Sequence, residues 1–439
     1  LFLIGEGEEM VPEFLDRYIA QRPQSNGGAQ PQAAQLAGVE GAYLPDYFTP
    51  AYDAAGRIAE VRYSGPGAPA VSRRLIDDLD RFTTASLILT EESVFGDMYL
   101  VEASRGCQWG CRFCAAGFMY RPIRYRSPER LTAEANRGLA DRRVIGLVGA
   151  EMASVPGVAA IASAVADGGG RLSPSSLKAD CISPQLASAL ARNGNRSVTI
   201  APEAGSERMR KVINKNLTEP EILNAAEMLV GGGVENLKFY FMIGLPEEHD
   251  GDVLEVARLT GRILDRARGA KRRVGHVTVS LNPFVPKPWT PFQWDPMEDA
   301  ATLKRKVAMV RAELGRIGGG AIELDAESPR EAYFQTLVSR GDRRVGAILE
   351  HLSAKGCDDS GSIWHELRLA AKGEIVHNPC LPDPDFFVAR RYAHDEILPW
   401  DFIDHHIHKR FLLSERRRAH LEHQTKPCDV TRCIVCGAC

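Results

Sequence analysis

No apolar run in this sequence approaches the ~20 residues that cross a bilayer, and no secretory signal is visible at its start. Charge of one sign is missing too. The 54 Lys and Arg nearly balance 57 Asp and Glu, for a net charge of −3, so there is no global basic field for nucleic acid. Cysteine is scarce, ten in 439 residues, and it is unevenly placed. Two short clusters hold most of it, while Cys181, Cys357 and Cys380 stand alone and are read as packing residues. A disulfide framework would spread its cysteines, whereas clusters of this kind are metal ligands in a reducing cytoplasm. We therefore expect a cytoplasmic protein with no membrane partner. The remaining composition, 44% hydrophobic and 25% charged, is that of an ordinary globular chain. Its length allows two or three domains.

The first cluster lies in Arg105-Gly106-Cys107-Gln108-Trp109-Gly110-Cys111-Arg112-Phe113-Cys114, a C-x-x-x-C-x-x-C pattern. On a helix the three cysteines would share one face and behave as small apolar side chains. Gly106 and Gly110 argue against a helix, since an interior glycine costs about 1 kcal/mol. A loop around a metal group fits better. Zinc normally takes four ligands in a structural site. Three thiolates can instead hold three irons of a cubane and leave the fourth open.

This pattern, its flanks and much of the chain that follows resemble the radical S-adenosylmethionine (SAM) superfamily. The resemblance implies a [4Fe–4S] cluster on Cys107, Cys111 and Cys114, with SAM chelating the open iron. It implies reductive cleavage of SAM to a 5′-deoxyadenosyl radical. Phe113, inside the motif, joins the cofactor-binding set. An external reductant such as flavodoxin or ferredoxin is the expected partner.

From Met98 onward, apolar runs alternate with helical patterns. Strands are predicted at Met98–Ala103, Val144–Gly149, Leu172–Lys178, Ser197–Ala201, Leu237–Ile243 and His276–Leu281. Helices are predicted at Pro128–Asp141, Val158–Asp167, Pro184–Arg192, Ser206–Val212, Glu219–Val230, Asp250–Arg268 and Ala300–Ile317. This alternation implies a parallel α/β sheet. Six such units match the partial (β/α)6 TIM-type barrel of the radical SAM core, with chemistry at the C-terminal strand ends. Several strand-end segments then resemble the family's SAM-binding parts. Gly149-Ala150-Glu151 matches a Gly-Gly-Glu segment that meets the SAM amino group. Ser176, in Ser175-Ser176-Leu177-Lys178, faces its carboxylate or ribose. Ala201–Arg208 looks like the segment of a subgroup that includes methylthiotransferases, with Glu203 for ribose hydroxyls and Arg208 for the carboxylate. Gly244, in Met242-Ile243-Gly244-Leu245-Pro246, lets backbone pass the adenine ring.

Around this core (93–320) the chain divides further. Residues 1–20 open on an apolar run, Leu1–Ile4, read as a buried strand, and a helix near Val11–Ala20. They resemble the last strand and helix of an N-terminal cobalamin-binding, Rossmann-like domain whose beginning is missing. The family's D-x-H-x-x-G signature is absent, so cobalamin is expected only where that domain is present. Residues 21–92 read as a Gln/Pro/Gly-rich linker, a small hairpin around Asp53–Gly56 and a short helix at Leu75–Phe82. Tyr120–Arg126 interleaves Arg and Tyr, as an RNA-binding strip would. With net charge near zero we prefer a role shielding the cluster. Asn282–Phe292 is a proline-stiffened lid. Residues 321–425 read as a helical C-terminal extension, in which His405 and His408 are assigned to a solvated helix face. The tail, 426–439, carries Cys428, Cys433, Cys436 and Cys439 as C-x4-C-x2-C-x2-C, a second [4Fe–4S] cluster or a zinc site.

The expected function is a radical SAM enzyme that functionalises an unreactive carbon by methyl or methylthio transfer. Its substrate is a small molecule, peptide or RNA that the residues do not identify. The alternative is a metal-binding RNA-modification or assembly factor that uses these sites structurally.

Overall fold

The computed structural model describes residues 1–20, 33–150, 152, 154–175, 177–270, 274–318, 320–374, 382–430, 433 and 435–438. Seven strands lie side by side in chain order: β1 (Met98–Glu102), β2 (Val144–Val148), β3 (Arg171–Pro174), β4 (Ser197–Glu203), β5 (Asn236–Ile243), β6 (Val277–Pro283) and β7 (Ile322–Ala326). All their pairings are parallel. The β1–β3 and β4–β7 ladders are joined by one parallel bridge, Leu177 to Ile200. Among the described residues no ladder returns from β7 to β1, so the barrel is partial.

Each crossover carries helix. These are α1 (Pro128–Gly138), α2 (Val158–Asp167), α3 (Pro184–Arg192), α4 (Glu207–Val212), α5 (Glu219–Gly232), α6 (Asp250–Arg268) and α7 (Ala300–Gly318). Their starts are written in the sequence. Ser127 and Ser183 each accept a backbone N–H and are followed by proline, a residue that has no N–H to lose at a first turn. Consecutive right-handed crossovers keep the helices on one face. Alternation along β5 shows that face. Leu237, Phe239, Phe241 and Ile243 are buried in the main core with Leu229 and Ile263, while Lys238, Tyr240 and Met242 on the other face are half-buried.

Two expectations change. Residues 322–326 are not the start of a helical region but an added strand of the sheet. Ile322, Leu324 and Ala326 are half-buried and alternate with exposed Glu323 and Asp325, the period of an edge strand. The run at the N-terminus is not a buried strand. Phe2–Leu3 pairs antiparallel with Ala42–Tyr43, and Phe2 is exposed and stacked on Tyr43. The helix that follows, Gly7–Ala20, starts earlier than predicted. This N-terminal unit is tied to the barrel by Glu6, a buried carboxylate that takes Arg105 and Arg124. Val11, Leu15, Tyr18 and Ile19 form an exposed stripe on the helix.

The hairpin is present as Phe48–Tyr52 paired with Ile58–Tyr63, whereas Leu75–Phe82 contains only a turn of 3-10 helix at Leu79–Arg81. Most of the linker, 21–32, falls outside the described residues. After β7 come helices Pro329–Arg340, Val345–Ala354, Ser360–Ala371, Pro384–Val388 and Lys409–His420. Among the described residues no helix is long and apolar enough to cross a membrane.

Candidate cofactor site at the strand ends

The three-cysteine loop leaves β1 at its C-terminal end, where Gly106 turns the chain at φ +85°, a left-handed conformation suited to glycine. A Cβ there would collide with the Tyr120 carbonyl. The loop is then held from beneath by Arg112, whose side chain is fully buried. Its guanidinium donates to Glu415 (3.2 Å), to the carbonyls of Lys211 (3.1 Å) and Val212 (2.8 Å), and to that of His423 (2.7 Å). One side chain thus joins the loop, the end of α4 and the C-terminal helix.

Cys107, Cys111 and Cys114 feel one another's charge, as side chains around a common centre do. Burial pushes the Cys111 thiol up to about 12, against the pull of Lys215, and raises Cys114 against hydrogen bonds from the backbone N–H groups of Gly117 and Ala116. Only the thiolate ligates, so a metal binding here would displace these protons to solvent. Among the described residues, no three His, Cys, Asp or Glu side chains close on one point as the ligands of a single ion would. A cubane takes one thiolate per iron, so its ligands stand apart. The donor set fits a cluster.

Opposite the loop stand two cations that the sequence reading missed. Lys215 lies beside Cys111 and Cys114 and pairs with Glu203 at 3.3 Å. Burial disfavours its ammonium, yet Glu203 and the thiols hold its pKa above the ordinary range. Lys178, in the loop that follows β3, sits 3.7 Å over the Trp109 ring and donates to the Asn216 carbonyl at 3.2 Å. Asn214-Lys215-Asn216 was the available signal. Both asparagines take left-handed φ, 54° and 48°, which aims the lysine between them.

The predicted SAM contacts divide. Glu203 ends β4 at a register shift, with φ 67°, a strained conformation for a non-glycine residue. It faces Lys215. Phe113 packs against a core cluster that includes Leu245, Ala204 and Phe284, and Met242 of β5 packs against the same cluster. Gly149 adjoins Ser104, where the cysteine loop begins. Glu151 and Ser176 lie outside the described residues. Gly244 has φ +76° and donates its N–H to Glu248 at 2.7 Å, but its missing Cβ faces Leu303 and Glu298. Its glycine is explained by turn geometry and protein packing. Arg208 is not brought to the thiols. It is engaged by Asp252, by Glu422 and by the Glu247 carbonyl.

The arginines of Tyr120–Arg126 are likewise spent inside the fold. Arg121 lies under Phe118 and Phe411, Arg124 holds Glu6, and Arg126 holds Glu102 and the Phe82 carbonyl. The proline-rich segment after β6 is a buried wedge. Trp289 and Trp294 pack with Trp400 and Leu398, while Phe284 meets Phe292 edge-on. His405 is buried 5.3 Å from Trp289, not on a solvated helix face, because it precedes the helix at Lys409.

The tail docks on the same loop. Cys428 donates its N–H to the Gln108 carbonyl (2.8 Å), and Asn216 donates to the Thr425 carbonyl (3.0 Å). Asn214 takes the Thr425 N–H (2.7 Å) and gives a hydrogen bond to the Gly110 carbonyl (3.0 Å). Cys439 lies outside the described residues.

Residues 101–260 match the family model of the radical SAM superfamily. An uncharacterized protein of Methanocaldococcus jannaschii, MJ0966, is 32% identical over 278 residues, which is 63% of this chain and 58% of that protein. The chain thus spans little more than half the length of the curated relative it matches. Among solved structures, the radical SAM methyltransferase TsrM from Kitasatospora setae, with tryptophan substrate and a SAM analogue bound, is 13% identical with a TM-score of 0.42 over 63% of this chain and 50% of that one. Methylornithine synthase is 12% identical with a TM-score of 0.35, over 62% and 87%.

Proposed function

The chain carries a radical SAM domain over residues 101–260, and on that premise we propose that it is an enzyme using SAM to functionalise an unreactive carbon. A [4Fe–4S] cluster held by Cys107, Cys111 and Cys114, with SAM on its open iron, supplies one-electron reductive cleavage of the sulfonium when bound. The observation that carries the reading is the loop itself: three neighbouring thiols at the end of β1, Cys111 buried and Cys107 and Cys114 half-buried, faced by Lys215 and Glu203. Lys215 supplies positive charge where a carboxylate would lie, and Glu203 offers two acceptor oxygens for a diol. Arg112 and the wedge at Trp289 keep water from the loop, as radical chemistry requires.

Methyl or methylthio transfer is the reaction class proposed, with an external reductant of the flavodoxin or ferredoxin kind. Cobalamin belongs to the proposal only where the N-terminal domain is present. The test is anaerobic reconstitution, then dithionite and SAM, with assay of 5′-deoxyadenosine. The protein should form it, and Cys111→Ala should not. A reconstituted protein that leaves SAM intact would leave its metal sites structural and sink the proposal.

A further inference from the structure

We propose that the helix-free face of β5, β6 and β7 binds the substrate through Lys238 and Asp325, and that this substrate is a small zwitterion, an ammonium and a carboxylate on an apolar body. The inference rests on the SAM-enzyme reading above and gives it a substrate class.

The three strands set these residues side by side. Lys238 registers with Thr278, Tyr240 with Ser280, and Ser280 with Asp325. Their chain neighbours Phe239, Val279 and Leu281 are buried in the core beneath the helices, so alternation turns this set to the other face. Across that face the Lys238 ammonium meets the Asp325 carboxylate at 3.4 Å, reaching over β6, and stands 5.5 Å from the centre of the Tyr240 ring. A closed barrel interior is filled by bulky branched side chains. Here β6 contributes only Thr278, Ser280 and Asn282, and the ion pair is 32% and 60% exposed. Short polar side chains leave room above a charged wall.

The same face of β1 and β2 is apolar. Tyr99, Val101, Ile145 and Leu147 enter the core, which leaves Leu100, Gly146 and Val148 on the helix-free side. Leu100 lies over Gly146, and Val148 is exposed. One side of the sheet thus offers charge of both signs and the other offers hydrocarbon.

An ion pair this long and this exposed contributes little. A ligand carboxylate on Lys238 and a ligand ammonium on Asp325 replace it at small cost. A ligand of one charge would pair with one residue and strand the other. Depth fits as well. Phe241 is the register partner of Glu203, so Asp325 lies one residue below that level and Lys238 three, about 3 and 10 Å along the strand. The charged head is held below the point where Glu203 meets Lys215, and the apolar body has the mouth to fill.

The reconstituted full chain with SAM is dialysed anaerobically against an equimolar mixture of the twenty common L-amino acids, and both compartments are quantified by mass spectrometry. At least one apolar amino acid should be retained. Its dissociation constant should rise at least tenfold in Lys238→Met and in Asp325→Asn. On the parent protein, which needs no variant to fold, the corresponding decarboxylated amine and deaminated acid should each bind at least tenfold more weakly than the amino acid. Retention of no amino acid, or equal binding of amino acid, amine and acid, overturns the proposal, as does full binding by both variants. The 5′-deoxyadenosine assay separates the two readings. SAM cleaved with no amino acid retained strikes the substrate class alone, whereas an amino acid retained with SAM intact strikes the enzymatic reading alone.

Discussion

Two stretches of this chain carry clustered cysteines, and the fold treats them differently. The first is rooted in a strand end, turned by a glycine that permits no side chain, and held by a fully buried arginine. The second has no strand or helix of its own among the described residues and lies against the first through a few polar bonds. One site is thus shaped by the barrel, while the other borrows its shape from what it touches. This predicts that damage to the loop's supports spreads to the tail, and that damage to the tail's supports stays there.

The strongest way to break that asymmetry is Arg112→Ala. It removes the guanidinium that faces Glu415 and three carbonyls, leaving a buried carboxylate with the Thr425 hydroxyl and a looser pair to Arg418 at 3.7 Å. Loss of one partner from a buried pair costs about 3–5 kcal/mol. Urea unfolding should show that loss, and reconstitution should fail at the first loop. Iron retained at the first loop in a folded variant would show that the loop stands without its support.

Acid tests the tail side. His405 precedes the helix at Lys409, close to the His408 that bonds Cys436. Burial, then the charge of Arg73, pushes His405 down to about 4 from an ordinary 6.5, with Asp404 opposing and His406 adding to the shift. The unfolded chain therefore binds this proton first. The stability is full above pH 6.5 and is lost as pH falls through 4, up to about 3 kcal/mol at 1.36 kcal/mol per unit. The pH dependence of urea unfolding should show this slope, and His405→Gln should flatten it. A slope unchanged in the variant would place the proton elsewhere.

Gly106→Ala probes the turn. A left-handed φ held by a non-glycine residue costs about 1–3 kcal/mol, and here the new Cβ also meets the Tyr120 carbonyl. Iron should be lost from the first loop, measured by anaerobic reconstitution. Full iron retained there in a folded variant would show that the loop does not depend on this turn.

The loop was readable because its chemistry is local: three cysteines at fixed spacing after an apolar run declare both a ligand set and a strand end. The six predicted strands were readable because alternation and length are local too. β7 escaped because Ile322–Ala326 is an edge strand only half-buried on its better face, a weak signal beside the helices that follow. The docking of the tail escaped for a different reason. Asn214, Asn216 and Thr425 meet across some two hundred residues of chain, and no local pattern announces such a contact.

Cations at the site show the same divide on a smaller scale. Sequence resemblance favoured Arg208, but helix α4 turns that side chain toward Asp252, and it is Lys215, just past the helix end, that meets the thiols. Lys215→Met should therefore weaken SAM binding by roughly tenfold, the effect of about 1.4 kcal/mol of lost charge-assisted contact. Equilibrium dialysis against the reconstituted protein would measure it.

Arg208→Ala should do much less. Its guanidinium is 29% exposed and Glu422 is 45% exposed, so solvent screens that pair, while Asp252 keeps its bonds from Ser206 and the His249 N–H. A loss of no more than about 1 kcal/mol in urea unfolding is expected, with SAM affinity unchanged. If Arg208→Ala weakened SAM binding and Lys215→Met did not, the resemblance would have named the right cation, and the barrel mouth would have to rearrange on binding to bring it to the thiols.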